Sequence, residues 1–70
     1  MSGTVKNNIR IRRTILELTQ EQLAEQVGVT RQTIIAMEKG NYTPSVYLAL
    51  VLAKTLSCTV EEIFHVENPA

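Results

Sequence analysis

Apolar residues along the chain fall into short stripes at helical spacing, each bounded by a capping residue or a glycine. Ile9, Arg13 and Leu16, with the stem of Arg12 alongside, form the inward face of a first helix that Asn8 caps. Thr19, with Gln22 three residues later, reads as a capping box. It opens a second helix whose stripe is Leu23, Ala24 and Val27, and Gly28 ends that helix in a left-handed conformation. Thr30 caps a third helix, striped by Ile34 and Met37, and Gly40 ends it. Pro44 and Ser45 start a fourth helix carrying Leu48, Ala49, Leu52, Ala53 and Leu56. Thr59 and Glu62 form a second capping box before a short fifth helix with Val60, Ile63 and Phe64. Five short helices with tight connections predict an all-α fold, a compact five-helix bundle spanning 1–70 as one domain.

The span 20–39 carries a denser pattern. Leu23, Val27, Val29, Ile34 and Met37 are apolar where two short helices must share a core while crossing steeply. Ala24 is small where the helices approach closest, and Gly28, four residues on, can take positive φ in the turn. These spacings are those of a helix-turn-helix unit. The third helix then has a second face to explain. Gln32, Ile35, Ala36 and Lys39 lie opposite its buried stripe, and Arg31 reaches around from the flank. An exposed Ile beside a Gln and an Arg is poorly explained by solubility. It suits a DNA major groove, where Gln32 can bridge adenine edges, Arg31 can grip guanine or a phosphate, and Ile35 with Ala36 can meet thymine methyls.

The formal net charge is zero, so the distribution of charge matters more than its sum. Lys6, Arg10, Arg12 and Arg13 all precede the first acid, Glu17, while Glu61, Glu62 and Glu67 crowd the other end. That polarity fits a basic end facing phosphate with an acidic end turned away, and it equally fits ordinary surface charge. Composition sets the remaining bounds. A 70-residue chain that is 44% apolar is globular, but domains of this size bury only about 60% of the unfolded surface, so an oligomer would relieve a marginal core. MSGTVKNN has no hydrophobic region of a signal peptide. The longest apolar run, VYLALVLA at 46–53, is far short of the roughly 20 residues a membrane span needs. Cys58 is the lone cysteine, read as a small core residue in a reducing, cytoplasmic setting.

Enzyme chemistry has no foothold. His65 is the single histidine, without a second His or Cys near it to make a metal site. Glu61 and Glu62 point about 100° apart on a helix, and Glu62 already has a capping role. A glycine-rich phosphate loop and a nucleophile with a base are both lacking, so no cofactor, no metal and no small-molecule ligand is expected.

The sequence resembles the Xre/Cro-type helix-turn-helix regulators of bacteria and phages, and most closely their short stand-alone members. The likeness is carried by LTQEQLAEQVGVTRQTIIAMEKGNYTPS and LALVLAKTLSCTVEEIF, and it runs from about Asn8 to Phe64. It implies a five-helix domain that binds palindromic operator DNA as a homodimer and represses transcription. It implies a phosphate contact from Gln20. Thr30, Arg31, Gln32 and Thr33 would give base and backbone contacts, with Ala36 at a position that often reads a base. Asn41, Tyr42 and Thr43 would lie along the DNA backbone. Arg13, on the inward side of the first helix, and Glu38, beside the third helix's stripe, match family positions where an Arg–Glu pair ties those helices together.

The chain ends, VKN at 5–7 and FHVEN at 64–68, look extended, with Val5, Phe64 and Val66 apolar. In the short family members the two ends pair into a small antiparallel sheet beside the dimer interface. Val60, Ile63, Phe64 and Val66 are accordingly expected to face a second copy. Some positions depart from the family pattern. Arg12 stands where an aliphatic residue is usual, Ile11 and Ile15 add a second apolar strip to the first helix, and Ala36 has no hydrogen-bonding group. Ser57-Cys58 replaces the common Gly-apolar pair before the fifth helix. The other reading is an antitoxin-type protein-interaction module that binds DNA only for autoregulation. Segments 1–7 and 65–70 leave little chain for such a partner, which favours the regulator.

Overall fold

The computed structural model describes residues 3–67. In chain order its elements are β1 (Thr4–Asn7), α1 (Ile9–Ile15), α2 (Gln20–Val27), α3 (Arg31–Glu38), α4 (Val46–Thr55), α5 (Val60–Ile63) and β2 (Phe64–Glu67). The five expected helices are present. The two ends also meet, β1 pairing antiparallel with β2 so that Val5 opposes Val66 and Asn7 opposes Phe64. The class is therefore all-α only approximately. Asn68 lies outside the described residues.

Local chemistry sets most helix boundaries. The Thr19 and Thr59 hydroxyls each accept from the backbone N–H three residues on, and the Gln22 and Glu62 side chains reach back to the cap N–H, completing both capping boxes. Thr30 and Ser45 cap α3 and α4 in the same way, through the N–H groups of Thr33 and Leu48. At the other end of α3, Gly40 takes φ +82°. Its N–H bonds to Met37 O while that of Asn41 bonds to Ala36 O, the paired bonds that close a helix on a left-handed residue. Ser57 does the same after α4, at φ +57°, with Ser57 N–H to Lys54 O and Cys58 N–H to Ala53 O. The turn before α5 thus keeps the glycine-type geometry with a serine, at a cost of about 1 kcal/mol.

Two features of α1 differ from expectation. Asn8 occupies the cap position, but its side chain makes no capping bond. The side-chain oxygen that accepts from Ile9 N–H belongs to Asn7, at 3.1 Å, while Asn8 Nδ2 donates to Glu62 O. Leu16 is not core. The helix ends at Ile15, Glu17 turns left-handed at φ +57°, and that reversal carries Leu18 against the core instead, leaving Leu16 41% exposed.

The core lies between the helices. Ile9, Leu23, Ile34, Met37, Leu52 and Ile63 are fully buried, closed by Ala24, Val27, Leu48, Ala53 and Leu56. Ile63, expected at a dimer interface, is sealed inside the monomer. A one-turn helix has few side chains to offer the core, and α5 spends Ile63 there. Ala49 is only half-buried, and Val46, Tyr47 and Leu50 on the same helix are exposed. Consecutive helical residues point about 100° apart, so an unbroken apolar run cannot bury every member. No described helix is long and apolar enough to cross a membrane.

Candidate nucleic-acid interface

The α2–α3 unit is held from behind and open in front. Ala24 is 3% exposed where α2 meets α3, and Leu23, Val27, Ile34 and Met37 fill the space behind. Gly28 at φ +79° makes the reversal, accepted by Ala24 O through both Gly28 and Val29 N–H groups. A Cβ at Gly28 would touch nothing within 4 Å. Its glycine is required by backbone angle, not by crowding.

With that frame fixed, Thr30, Arg31 and Gln32 stand exposed at the start of α3, and Lys39 at its end. Thr33, Ile35 and Ala36 are half-buried. The Thr30 and Thr33 hydroxyls lie 3.1 Å apart, and Thr30 Oγ1 also caps Thr33 N–H, which fixes the first turn of α3. Asn41, Tyr42 and Thr43 are exposed in the following loop.

Behind this row lies a polar cluster. Arg13 Nε donates to Glu38 Oε2 at 2.7 Å and Nη2 to Oε1 at 3.2 Å, a two-pronged pair between α1 and α3. The side chains are only 13% and 7% exposed. Arg13 Nη1 donates to Leu18 O at 2.8 Å, so the guanidinium also ties down the link to α2. Gln20 Nε2 donates to Glu38 Oε1 at 3.1 Å. The carboxylate can only accept, which fixes the Gln20 amide with its nitrogen towards Glu38. This third member was not anticipated from sequence, because residues 18 apart in two helices reveal no contact by spacing. Among the described residues no buried side-chain polar atom lacks a partner.

Two open clefts flank Gln20. One of about 480 Å³ is lined by Arg13, Thr19, Gln20, Glu21 and Arg31. The other, about 310 Å³, is lined by Arg10, Arg13, Gln20, Ile35, Glu38 and Lys39. Both are polar and shallow, forms suited to a charged backbone and not to an enclosed small molecule.

A third feature, away from these clefts, is apolar. A groove of about 150 Å³ runs between β1, the 43–45 loop, α4 and α5, with Val5, Val46, Ala49, Val60 and Phe64 among its lining. Of the residues expected at a dimer interface, Val60 and Phe64 are half-buried in this groove and Val66 is 66% exposed, while Ile63 is inside. Sequence reasoning missed Val46, 77% exposed, and Leu50, 57% exposed. The length of the run VYLALVLA was the available signal.

Glu62 is held below the ordinary carboxylate range, first by the Thr59 backbone N–H, then by the Thr59 side chain, with a smaller contribution from Arg12. Burial pushes the Cys58 thiol up, consistent with a packing residue. Among the described residues no cluster of His, Cys, Asp and Glu could hold a metal ion.

Comparison with known proteins agrees with this architecture. The Helix-turn-helix family model of Xre/Cro type (HTH_3) matches residues 9–63. An uncharacterized HTH-type transcriptional regulator of Methanocaldococcus jannaschii is 48% identical over 64 residues, covering 91% of this chain and 97% of the relative. One from Methanothermobacter thermautotrophicus is 60% identical over 57 residues, covering 80% and 83%. Among solved structures, the P22 c2 repressor in complex with a synthetic operator superimposes with a TM-score of 0.73 at 34% identity, covering 76% of this chain and 80% of that one. With the matched span running from the first residue of α1 to the last of α5, the chain belongs to the Xre/Cro-type helix-turn-helix family of DNA-binding transcriptional regulators.

Proposed function

We propose that the protein is a transcriptional repressor that binds a palindromic operator as a homodimer, with α3 in the major groove of each half-site. The observation that carries the reading is the exposed pair Arg31 and Gln32 on the first turn of a helix whose opposite face is wholly buried. In this reading Arg31 and Gln32 meet base edges, and Thr33, Ile35 and Ala36 line the approach with apolar or hydroxyl contacts. Gln20, Thr30, Lys39, Asn41, Tyr42 and Thr43 hold the phosphate backbone on either side. The P22 c2 repressor, whose structure contains a synthetic operator, supports the choice of ligand.

The second copy is assigned to the apolar groove. Val46, Leu50 and Val66 are exposed apolar residues near or beside a groove already lined by Val5, Val60 and Phe64. A two-fold axis through that surface would be self-complementary and cover it. It would also carry two α3 helices on one side, about 34 Å apart, one turn of DNA.

The test begins with selection of a binding sequence from random duplexes. Arg31→Ala and Gln32→Ala should each lose about 1–3 kcal/mol on the selected operator. Loss on random duplex should be smaller, because that binding comes from phosphate contacts. A double variant that keeps the full operator preference would refute base reading by these two residues.

A further inference from the structure

Four bases precede the first acid of the chain, and the fold separates them into two kinds. Arg12 and Arg13 are consumed in ion pairs with Glu62 and Glu38. Lys6 and Arg10 are exposed and, among the described residues, take part in no ion pair. Both stand near the end of α3. Arg10 borders the 310 Å³ cleft with Ile35 and Lys39. Lys6 borders a neighbouring cleft of about 280 Å³ with Lys39 and Gly40. Lys39 belongs to both clefts, so Lys6, Lys39 and Arg10 make one run of positive charge around that end of the helix. The acid nearest in sequence, Glu38, has its carboxylate committed to Arg13 and Gln20.

The strand that carries Lys6 is tied down. Asn7 Nδ2 donates to Met37 O at 2.7 Å, joining β1 to the last turn of α3. Asn8 N–H bonds to Ile63 O at 2.8 Å, and β2 pairs with β1 along its length. The backbone at Lys6 is therefore ordered before any ligand arrives, which lowers the entropy lost on binding.

We propose that Lys6 and Arg10 grip DNA phosphates outside the helix-turn-helix unit, continuing the backbone contact of Lys39 onto β1 and α1. This rests on the DNA-binding reading above and extends its footprint. Three like charges spaced along open clefts suit a polyanion that presents successive phosphates. A single free anion would find at the base of the cleft only Arg13 and Glu38, whose charges are already spent on each other.

The salt dependence of binding decides it. Each phosphate contact contributes about 0.9 to the slope of log affinity against log salt concentration, measured between about 50 and about 200 mM. The proposed operator complex holds two copies, so Arg10→Ala and Lys6→Ala should each reduce the slope by about 1.8, and the double variant by about 3.6. The ratio of operator to random affinity should stay the same, since phosphates carry no sequence. Lys54→Ala is the control. It removes the same charge from the end of α4, an exposed position bordering neither cleft, and should leave the slope unaltered. Slopes for Arg10→Ala and Lys6→Ala that match Lys54→Ala would overturn the proposal while leaving the DNA reading intact. A wild-type protein that retards no duplex would overturn the DNA reading itself, and this inference with it.

Discussion

Truncation of Arg13 to alanine isolates the energetic role of the polar cluster behind α3. Glu38, 7% exposed, accepts two bonds from Arg13 and one from Gln20. Arg13→Ala removes the compensating charge and leaves a nearly dry carboxylate with a single amide donor. Breaking a buried pair in this way costs about 3–5 kcal/mol. Loss of the bond from Nη1 to Leu18 O adds to that, since it frees the link between α1 and α2. Native domains hold about 0.05–0.15 kcal/mol per residue, so a chain of this length has about 3–10 kcal/mol in all. The variant should stand at the edge of unfolding. Urea melts followed by far-ultraviolet circular dichroism measure it, at one fixed protein concentration because association contributes to apparent stability. The double variant Arg13→Met with Glu38→Leu supplies the opposite arm. With neither charge present, no desolvated ion remains, and much of the stability should return. A loss below about 0.5 kcal/mol for Arg13→Ala would place the pair among ordinary surface bridges. A double variant less stable than the single one would refute the desolvation argument directly.

The other predictions concern assembly and acid sensitivity. Wild-type protein should sediment at twice the chain mass at micromolar concentration, and Leu50→Asp or Val46→Asp should give folded monomers, because both side chains are exposed and outside the core; a wild-type monomer that binds a palindrome without cooperativity would refute the dimer. Glu62 titrates below its ordinary value in the fold, so its contribution is present above the ordinary carboxylate pKa and lost as pH falls through the lower folded one. Wild type should therefore exceed Glu62→Gln in stability at neutral pH, with the gap closing towards acid, and a gap constant across that range would refute the assignment.

Much of the fold was legible because its determinants are local. Thr19, Thr30, Ser45 and Thr59 cap helices through bonds to residues three positions away, and Gly28 and Gly40 supply left-handed turns. Such interactions need no knowledge of the remaining chain. The stripe of Leu23, Val27, Ile34 and Met37 followed from helical period in the same way, and with it the outer face of α3, where Arg31, Gln32 and Lys39 are exposed while Ile35, expected exposed, is half-buried. The pairing of Arg13 with Glu38 was within reach because each lies beside a buried stripe, where a charge must find a partner, and because both match family positions that hold such a pair.

Tertiary structure decided what periodicity leaves degenerate. Leu16 and Leu18 are equally apolar, and the left-handed turn at Glu17 selects Leu18 for the core. Asn7 and Asn8 are chemically identical, yet the pairing of β1 with β2 sets Asn7 to cap α1 and to hold Met37 O, while Asn8 reaches Glu62 O. Ile63 and Phe64 are adjacent apolar residues, and the single turn of α5 puts one inside and leaves the other in a surface groove. Ion pairing across long separations divides the N-terminal bases into those that are spent and those that, among the described residues, are unpaired. Hydrophobic pattern establishes that a residue wants burial or a partner. Only the packed chain, with limited interior volume and each donor matched to one acceptor, settles which residue obtains it.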